Sequence, residues 1–197
     1  MKNYKMIKNT VLAVCTFVVS TGNNLYAAAS PNPWFGEAYS SDMKLIKLGS
    51  ENGLDILKDP EGKQVCLAKF FYEPNKKNYV RFGSVDGTNC NMTVGGVRSV
   101  DLKGDDARLV HISKGGAWLP LNDAKTKGHI VANKMLMTSE QSSPGYSKGA
   151  GTGAYYIVHK GLWYAKNNQE LNIPEANGAD KIQVFVPGIA AADAGNP

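Results

Sequence analysis

Alternation of apolar and polar side chains is the main local pattern of this chain. The run at 64–72 is rich in apolar and aromatic residues and contains neither glycine nor proline, which is typical of a strand with a buried face. A second run at 79–82 alternates, and a short third run at 90–94 ends at a pair of glycines. Polar turns separate the runs, including the dipeptide Asp86-Gly87, so the pattern predicts a three-stranded meander.

Further runs of the same kind predict strands in the rest of the chain. They cover residues 43–48, 107–112, 129–138, 155–159, 162–165 and 181–186. In the last run Ile182, Val184 and Val186 share one face, as the two-residue period of a strand requires. No helix of ordinary length is predicted after residue 30, and 123–134 is expected to form only a turn or two. The predicted fold class is therefore all-β, built from antiparallel meanders.

Segments rich in glycine and polar residues are predicted to be loops. The chain has 21 glycines, and turn residues recur between the short strands, which supports a β-rich architecture. The segment 139–153 (SEQSSPGYSKGAGTG) is predicted to be the most flexible loop, and 189–197 a flexible tail. Within that loop, 149–153 resembles a phosphate loop only in its glycine content, because it lacks the lysine and the following helix. We interpret it as a linker.

The first 29 residues have the organisation of a secretory signal peptide. Three lysines precede an almost wholly apolar or small run at 10–21, and Ala27-Ala28-Ala29 offers a cleavage site. The apolar run is too short for a bilayer-spanning helix, which needs about 20 apolar residues. We therefore expect cleavage after Ala29 and a secreted or periplasmic protein without stable membrane insertion. An N-terminal anchor helix and a lipoprotein modified at Cys15 are the alternatives.

Loss of this leader changes both the cysteine count and the net charge. Of three cysteines, Cys15 leaves with the leader, and Cys66 and Cys90 then favour one intramolecular disulfide in an oxidising compartment. The full chain has 22 Lys+Arg and 17 Asp+Glu, and removal of three leader lysines leaves 19 against 17, a net charge of +2. This small excess gives no support for nucleic-acid binding, so no nucleic-acid partner is expected.

No catalytic or metal-binding motif stands out in the sequence. His111, His129 and His159 lie far apart and lack the spacings of metal-binding motifs. There is no G-x-S-x-G motif, and pairing of the cysteines leaves no reactive thiol. The adjacent carboxylates Asp105 and Asp106 are expected to be solvated in a turn. We therefore expect a protein that is not an enzyme and that uses no metal or other cofactor.

Aromatic residues beside polar residues in the C-terminal half are the main candidates for ligand binding. Secreted β-proteins often bind sugars through an aromatic ring and nearby Asp, Asn or Lys side chains that match the hydroxyl groups. The candidates are Trp118, Asp123, Trp163, Tyr164 and Asn167. The alternative is that these rings fill the β core, since aromatic residues are enriched in strands.

Short motifs in 64–100 match a known repeat. Residues 65–70 (VCLAKF) are similar to vcrA-x-y, Gly83 with Val85 is similar to pGkv, and residues 90–96 (CNMTVGG) are close to CnigygG. Residues 108–110 fall where the closing strand of that repeat is expected. In these pieces the chain resembles the DM-nine repeat family of small tandem-repeat β-proteins.

The resemblance implies two repeats, and several family members bind mannose in a cleft between them. It places a first β repeat at 30–116 and a degenerate second repeat, which lacks the cysteine and paired-glycine signatures, at 117–188. The lysine of pGkv, which the resemblance implies helps to hold the sugar, is Ser84 here. The expected function is that of an exported, non-catalytic carbohydrate-binding protein with mannose-type glycans as ligands. The alternative is a secreted inhibitor or host-interaction protein that binds a surface protein through 139–153.

Overall fold

The computed structural model describes residues 30–32, 37–39, 43–130, 135–138 and 141–189, and their regular structure is almost all β. Strands β1 (Ser30–Asn32) and β2 (Glu37–Tyr39) form a small antiparallel hairpin. The first large sheet contains β3 (Met43–Ile46), β4 (Val65–Tyr72), β5 (Lys77–Asp86), β6 (Asn89–Thr93), β7 (Val97–Asp101) and β8 (Ala107–Ile112). The second contains β9 (Gly116–Pro120), β10 (Ser142–Tyr146), β11 (Thr152–Ile157), β12 (Gly161–Lys166), β13 (Gln169–Ile173) and β14 (Gln183–Pro187). Two short helices, α1 (Leu121–Thr126) and α2 (Glu175–Gly178), belong to the second half.

The two large sheets have the same connectivity. Their strand orders are β3-β8-β4-β5-β6-β7 and β9-β14-β10-β11-β12-β13, and the pairings are antiparallel. In each sheet four consecutive strands form a meander, and the last strand returns beside the first strand of that meander. Exchange of the halves therefore maps β3–β8 onto β9–β14 in chain order. The all-β, antiparallel fold class is confirmed, and the repeat boundaries at 116 and 188 remain predictions from the sequence.

The predicted meander of the first half is confirmed as β4, β5 and β6, and the predicted disulfide joins its outer strands. Cys66 on β4 and Cys90 on β6 are bonded, with their Cα atoms 5.8 Å apart, and both side chains are fully buried. Cys66 pairs with Gly83 on the central strand β5. A Cβ at Gly83 would overlap the carbonyl oxygen of Asn91 on β6, so this crossing requires glycine.

The described residues contain three clusters of buried apolar side chains. One lies between the sheets and includes Leu67 and Phe82 of the first half together with Tyr155 of the second. Cys66, adjacent to Leu67 on β4, belongs instead to a separate core within the first half, as the two-residue period of a strand requires. The second half has its own core, which includes the fully buried Tyr156. Complete burial of a side chain such as Phe82 contributes about 1.5–3 kcal/mol, so the shared cluster is a major source of stability.

Two predictions for 129–153 are wrong. Residues 129, 130 and 135–138 form no strand, and 131–134 lie outside the described residues. Residues 139 and 140 lie outside the described residues, and 141–153 is not a flexible loop, because it contains β10, with Ser142 and Gly145 buried, and the beginning of β11. Small residues are needed there because β10 is enclosed between β11 and β14. Deleting 139–153 would therefore remove an interior strand. The protein-binding alternative assigned partner contact to a flexible loop, and this segment is not one.

The predicted leader and nearly all of the predicted tail fall outside the part of the chain that the structure describes. Residues 1–29 and 190–197 lie outside the described residues. In the part of the chain that the structure describes, no helix has the length and apolar character needed to cross a bilayer.

Gly153 marks a close approach between the sheets rather than a linker. Its φ is +69°, and a Cβ there would lie 2.8 Å from the carbonyl carbon of Met92 and 2.9 Å from the carbonyl oxygen of Asn91. Beside this contact, Thr93 Oγ1 donates a hydrogen bond of 3.1 Å to the carbonyl oxygen of Thr152. Glycine is needed at 153 because its φ is positive and because β6 leaves no room for a Cβ. The interpretation of 149–153 as a linker is therefore wrong.

Substitution of Gly153 by alanine is expected to lower the free energy of unfolding by about 2 kcal/mol, because strain at positive φ adds to the overlap with β6. Gly149 is the matched control: its φ is +76°, but a Cβ there meets nothing within 4 Å. Gly149→Ala should therefore cost only the backbone strain, about 1 kcal/mol. Urea unfolding of both variants measures the difference, and equal losses would contradict the close approach.

Candidate functional site

A cleft of about 320 Å³ lies between the two halves and is lined by both. We name it the acidic cleft. Its walls come from the segment that leads into β4, from β5 and β6, and from β9, β10 and β11. They include Asp59, Glu61, Lys63, Ser84, Asp86, Asn91, Trp118 and Tyr146.

Trp118 and Tyr146 form the aromatic wall of the acidic cleft. Their ring centroids are 6.4 Å apart with an interplanar angle of 70°, an edge-to-face arrangement. Trp118 also meets Phe185 edge-to-face at 5.7 Å, and its Nε1 donates a hydrogen bond of 2.8 Å to the carbonyl oxygen of Lys58. The indole is therefore held by contacts from both halves, is half-buried and lines the cleft.

Carboxylates supply most of the charge in the acidic cleft. Asp59 Oδ1 accepts hydrogen bonds of 2.9 Å from the backbone N–H groups of Glu61 and Lys63, which shapes the turn before β4. Glu61 accepts a hydrogen bond of 3.1 Å from the hydroxyl of Tyr146. Burial and this bond to Glu61 raise the pKa of Tyr146, so the phenol stays a neutral donor. With Asp86 included, three carboxylates face one lysine, which gives the cleft a negative charge.

The side chains of the acidic cleft can contact a polar ligand in several ways. An aromatic ring, carboxylate acceptors, an ammonium group and the amide of Asn91 can satisfy the hydroxyl groups and the apolar face of a polar ligand. Among the described residues, no group of three or more His, Cys, Asp or Glu side chains is placed to hold a metal ion.

The structure separates the five residues predicted to bind ligand. Trp118 lines the acidic cleft, and Trp163 on β12 lines a second cleft. Asp123 is exposed on α1, Tyr164 is half-buried next to Trp163 on β12, and Asn167 is exposed in the β12–β13 turn with a φ of +52°. Within the described part of the chain, none of these three lines either cleft. A ligand-binding role for them remains a prediction.

Several cleft residues were missed by the sequence analysis. Asp59 and Lys63 belong to a polar turn, where side chains are expected to be solvated, and Tyr146 belongs to the segment predicted to be a loop. The turn sequence could have identified Asp59, because residues 59–62 (DPEG) favour a tight turn in which the Asp carboxylate accepts backbone hydrogen bonds. The packing of the two halves brings the Tyr146 hydroxyl to Glu61, and no pattern in the nearby sequence predicts that contact.

A buried carboxylate in the second half forms a separate polar network. Glu175, at the start of α2, accepts hydrogen bonds from the Tyr156 hydroxyl at 2.6 Å, Lys125 Nζ at 2.7 Å and the backbone N–H of His159 at 3.1 Å. Burial raises the pKa of Glu175, but the hydrogen bonds from Lys125 and Tyr156 and the lysine charge outweigh it and hold that pKa below its ordinary value. Burial and the same carboxylate raise the pKa of Tyr156. This network joins α1, α2 and β11 and is structural.

Comparisons with known proteins give no family. No protein-family model and no curated protein matches the chain, so the DM-nine resemblance remains a prediction from short motifs. The structure is similar to the crystal structure of the nematode sperm cell motility protein MFP2B, with a TM-score of 0.46 and 15% sequence identity. The match covers 82% of this chain and 46% of that chain, so this chain spans less than half of its length.

Proposed function

We propose that the protein is a non-catalytic carbohydrate-binding protein and that its ligand occupies the acidic cleft. The observation that carries this proposal is the fixed Trp118–Tyr146 pair beside the carboxylates of Asp59, Glu61 and Asp86. A pyranose ring has an apolar face that packs on an aromatic side chain, and its hydroxyl groups donate hydrogen bonds to carboxylates. The two kinds of group lie together in this one cleft.

The charge of the acidic cleft disfavours an anionic sugar. The net negative charge of three carboxylates and one lysine repels an anionic ligand, whereas hydroxyl groups donate hydrogen bonds to carboxylate oxygens at little electrostatic cost. Mannose-type glycans are neutral and rich in hydroxyl groups. We therefore propose them as the ligand class.

The DM-nine resemblance supports the same location. Ser84, which stands where that family has its sugar-holding lysine, lines the acidic cleft. Its strand partner is Val65, and Lys63 lies two residues before Val65 and also lines the cleft. The ammonium group of Lys63, 3.9 Å from Glu61 Oε2, thus lies in the neighbouring segment where Ser84 lacks one.

Export completes the proposal. The Cys66–Cys90 disulfide is typical of proteins of oxidising compartments, and the leader at 1–29 would direct the chain there. We propose a secreted or periplasmic location. N-terminal sequencing of the exported protein should begin at Ser30, and a sequence that began at Met1 or Cys15 would contradict cleavage after Ala29.

Replacement of Asp86 by asparagine is expected to weaken binding of a mannose-type oligosaccharide about tenfold, since a hydrogen bond to a charged group contributes about 1.5–3 kcal/mol. Asp86 is exposed, so the fold should persist. Asp106→Asn is the control, because Asp106 is an exposed carboxylate outside the cleft and should leave the affinity unchanged. Isothermal titration calorimetry measures both. Absence of wild-type binding on a glycan array and on mannose-agarose would remove the proposal.

A further inference from the structure

A second cleft, of about 400 Å³, occupies the position equivalent to the acidic cleft when the two halves are exchanged. The acidic cleft is lined by β5, β6, β10 and β11, and exchange of the halves turns these strands into β11, β12, β4 and β5. Those are strands that line the second cleft, through Tyr72, Tyr79, Arg81, Tyr155 and Trp163. The repeated connectivity has therefore produced two clefts, one at each end of the β5–β11 contact.

Cations and aromatic rings dominate the second cleft, which we name the cationic cleft. The guanidinium carbon of Arg81 lies 5.0 Å from the ring centroids of both Tyr79 and Tyr155, so the cation is held between two aromatic faces. Arg81 is 7% exposed, and Lys160 adds an exposed ammonium group to the lining. A further cation, Arg98, lies 5.5 Å from the ring centroid of the lining residue Tyr72.

The carboxylate of the cationic cleft is bonded within the fold. Glu170 Oε2 accepts a hydrogen bond of 2.9 Å from the backbone N–H of Gly95, and Oε1 accepts one of 3.4 Å from the Tyr155 hydroxyl. Burial raises the pKa of Tyr155 to about 12, so it remains a neutral donor to Glu170. Glu170 therefore offsets only part of the positive charge of Arg81 and Lys160.

Trp163, which lines the cationic cleft, carries a buried hydrogen-bond donor. The Trp163 Nε1–H group is buried and has no hydrogen-bond partner among the described residues. A buried donor without a partner is costly, and a ligand acceptor that reached it would remove the cost. The indole also supplies a flat apolar face beside Ile157.

We propose that the cationic cleft is a second binding site, for a saccharide that carries a carboxylate. The carboxylate meets Arg81 and Lys160, and the sugar ring packs on Trp163. The net negative charge of the acidic cleft disfavours such a ligand there, so the carboxylate directs the saccharide to the cationic cleft. This proposal does not depend on sugar binding in the acidic cleft.

Digalacturonate is the probe, titrated calorimetrically into the purified full chain, with its methyl ester and inorganic phosphate in separate arms. Lys160→Gln and Trp163→Phe are each expected to weaken binding of digalacturonate about tenfold, since the first removes the positive charge that meets the carboxylate and the second removes the indole N–H donor. Lys103→Gln, an exposed lysine outside the cleft, and Asp86→Asn in the acidic cleft should leave it unchanged. Urea unfolding of each variant checks that the fold is retained.

The three ligands distinguish a site for a carboxylated saccharide from a site for any small anion. Binding of digalacturonate that weakens with added salt, with binding of the neutral ester at least tenfold weaker, supports the proposal. Phosphate bound as tightly as digalacturonate would reduce the cleft to a simple anion site and overturn it. Absence of digalacturonate binding, or equal binding by wild type, Lys160→Gln and Trp163→Phe, would also overturn it.

Discussion

Replacement of both Cys66 and Cys90 by alanine is expected to lower the free energy of unfolding by about 3 kcal/mol, since the bridge closes a loop of 24 residues and thereby restricts the unfolded chain. The loss is comparable with that of a large core truncation, because the bridge ties together the two outer strands of the first meander. Denaturation in urea, with the oxidised wild type as reference, measures it.

Reduction of the wild type supplies the control for the disulfide prediction. The reduced protein keeps both sulfur atoms in the core of the first half, where the cysteines are fully buried, so it separates loss of the bridge from loss of packing. Most of the 3 kcal/mol should be lost on reduction alone. A reduced protein as stable as the oxidised one would show that the bridge does not stabilise the fold.

Replacement of Glu175 by alanine is also expected to cost about 3 kcal/mol, because it leaves the buried hydroxyl of Tyr156 and the backbone N–H of His159 without their acceptor. Glu175→Gln keeps an acceptor oxygen and should cost about half as much. The matched control is Glu73→Ala at an exposed position, which should change the stability by less than about 0.5 kcal/mol. Equal effects of Glu175→Ala and Glu73→Ala would contradict the network.

The lowered pKa of the Glu175 carboxyl makes the stability of the fold depend on pH. The folded-state pKa of Glu175 lies below its ordinary value of 4.5, so its stabilising contribution is complete above about pH 4.5. The contribution is lost as the pH falls from there through the folded-state pKa. The Glu175→Gln variant lacks this titration, so its stability should fall less steeply than that of wild type below pH 4.5. If the free energy of unfolding of wild type and of Glu175→Gln fell equally with pH below 4.5, the pKa of Glu175 would not be lowered in the folded state.

Local alternation was enough to predict the strands that carry large apolar side chains. The run at 64–72 became β4, the run at 107–112 matched β8, and 181–186 became β14. Each of these combines branched or aromatic residues with a period of two, so the pattern and the packing agree. The disulfide followed from cysteine counting once the leader was set aside.

Strands β9 and β10 were missed because their own residues do not favour a strand. Their sequences, GAWLP and SSPGY, contain glycine and proline, which ordinarily mark turns. In the structure β10 is buried, and Gly145 is needed because a Cβ there would lie 2.8 Å from the backbone nitrogen of Tyr156. Packing in the tertiary structure therefore overrides local propensity at these positions.

The clefts could not be predicted because they arise from contacts between the halves. Trp118 was recognised as a candidate, but its partner Tyr146 and the carboxylate of Glu61 meet it only after the two sheets pack. The repeated strand order was expected only from the family resemblance. The opposite charges of the two clefts depend on which side of each strand faces the partner sheet, which the strand pattern alone does not determine.

Heteronuclear NMR of the tryptophan indole N–H groups tests the central claim, that the acidic cleft holds a neutral glycan, most directly. The chain has three tryptophans, so three indole signals are expected, and Trp118→Phe and Trp163→Phe assign two of them. Titration with a mannose-type oligosaccharide should shift the Trp118 signal, whose N–H is bonded to the carbonyl oxygen of Lys58, and leave the Trp163 signal in place. A Trp118 signal that does not move at saturating glycan would contradict it.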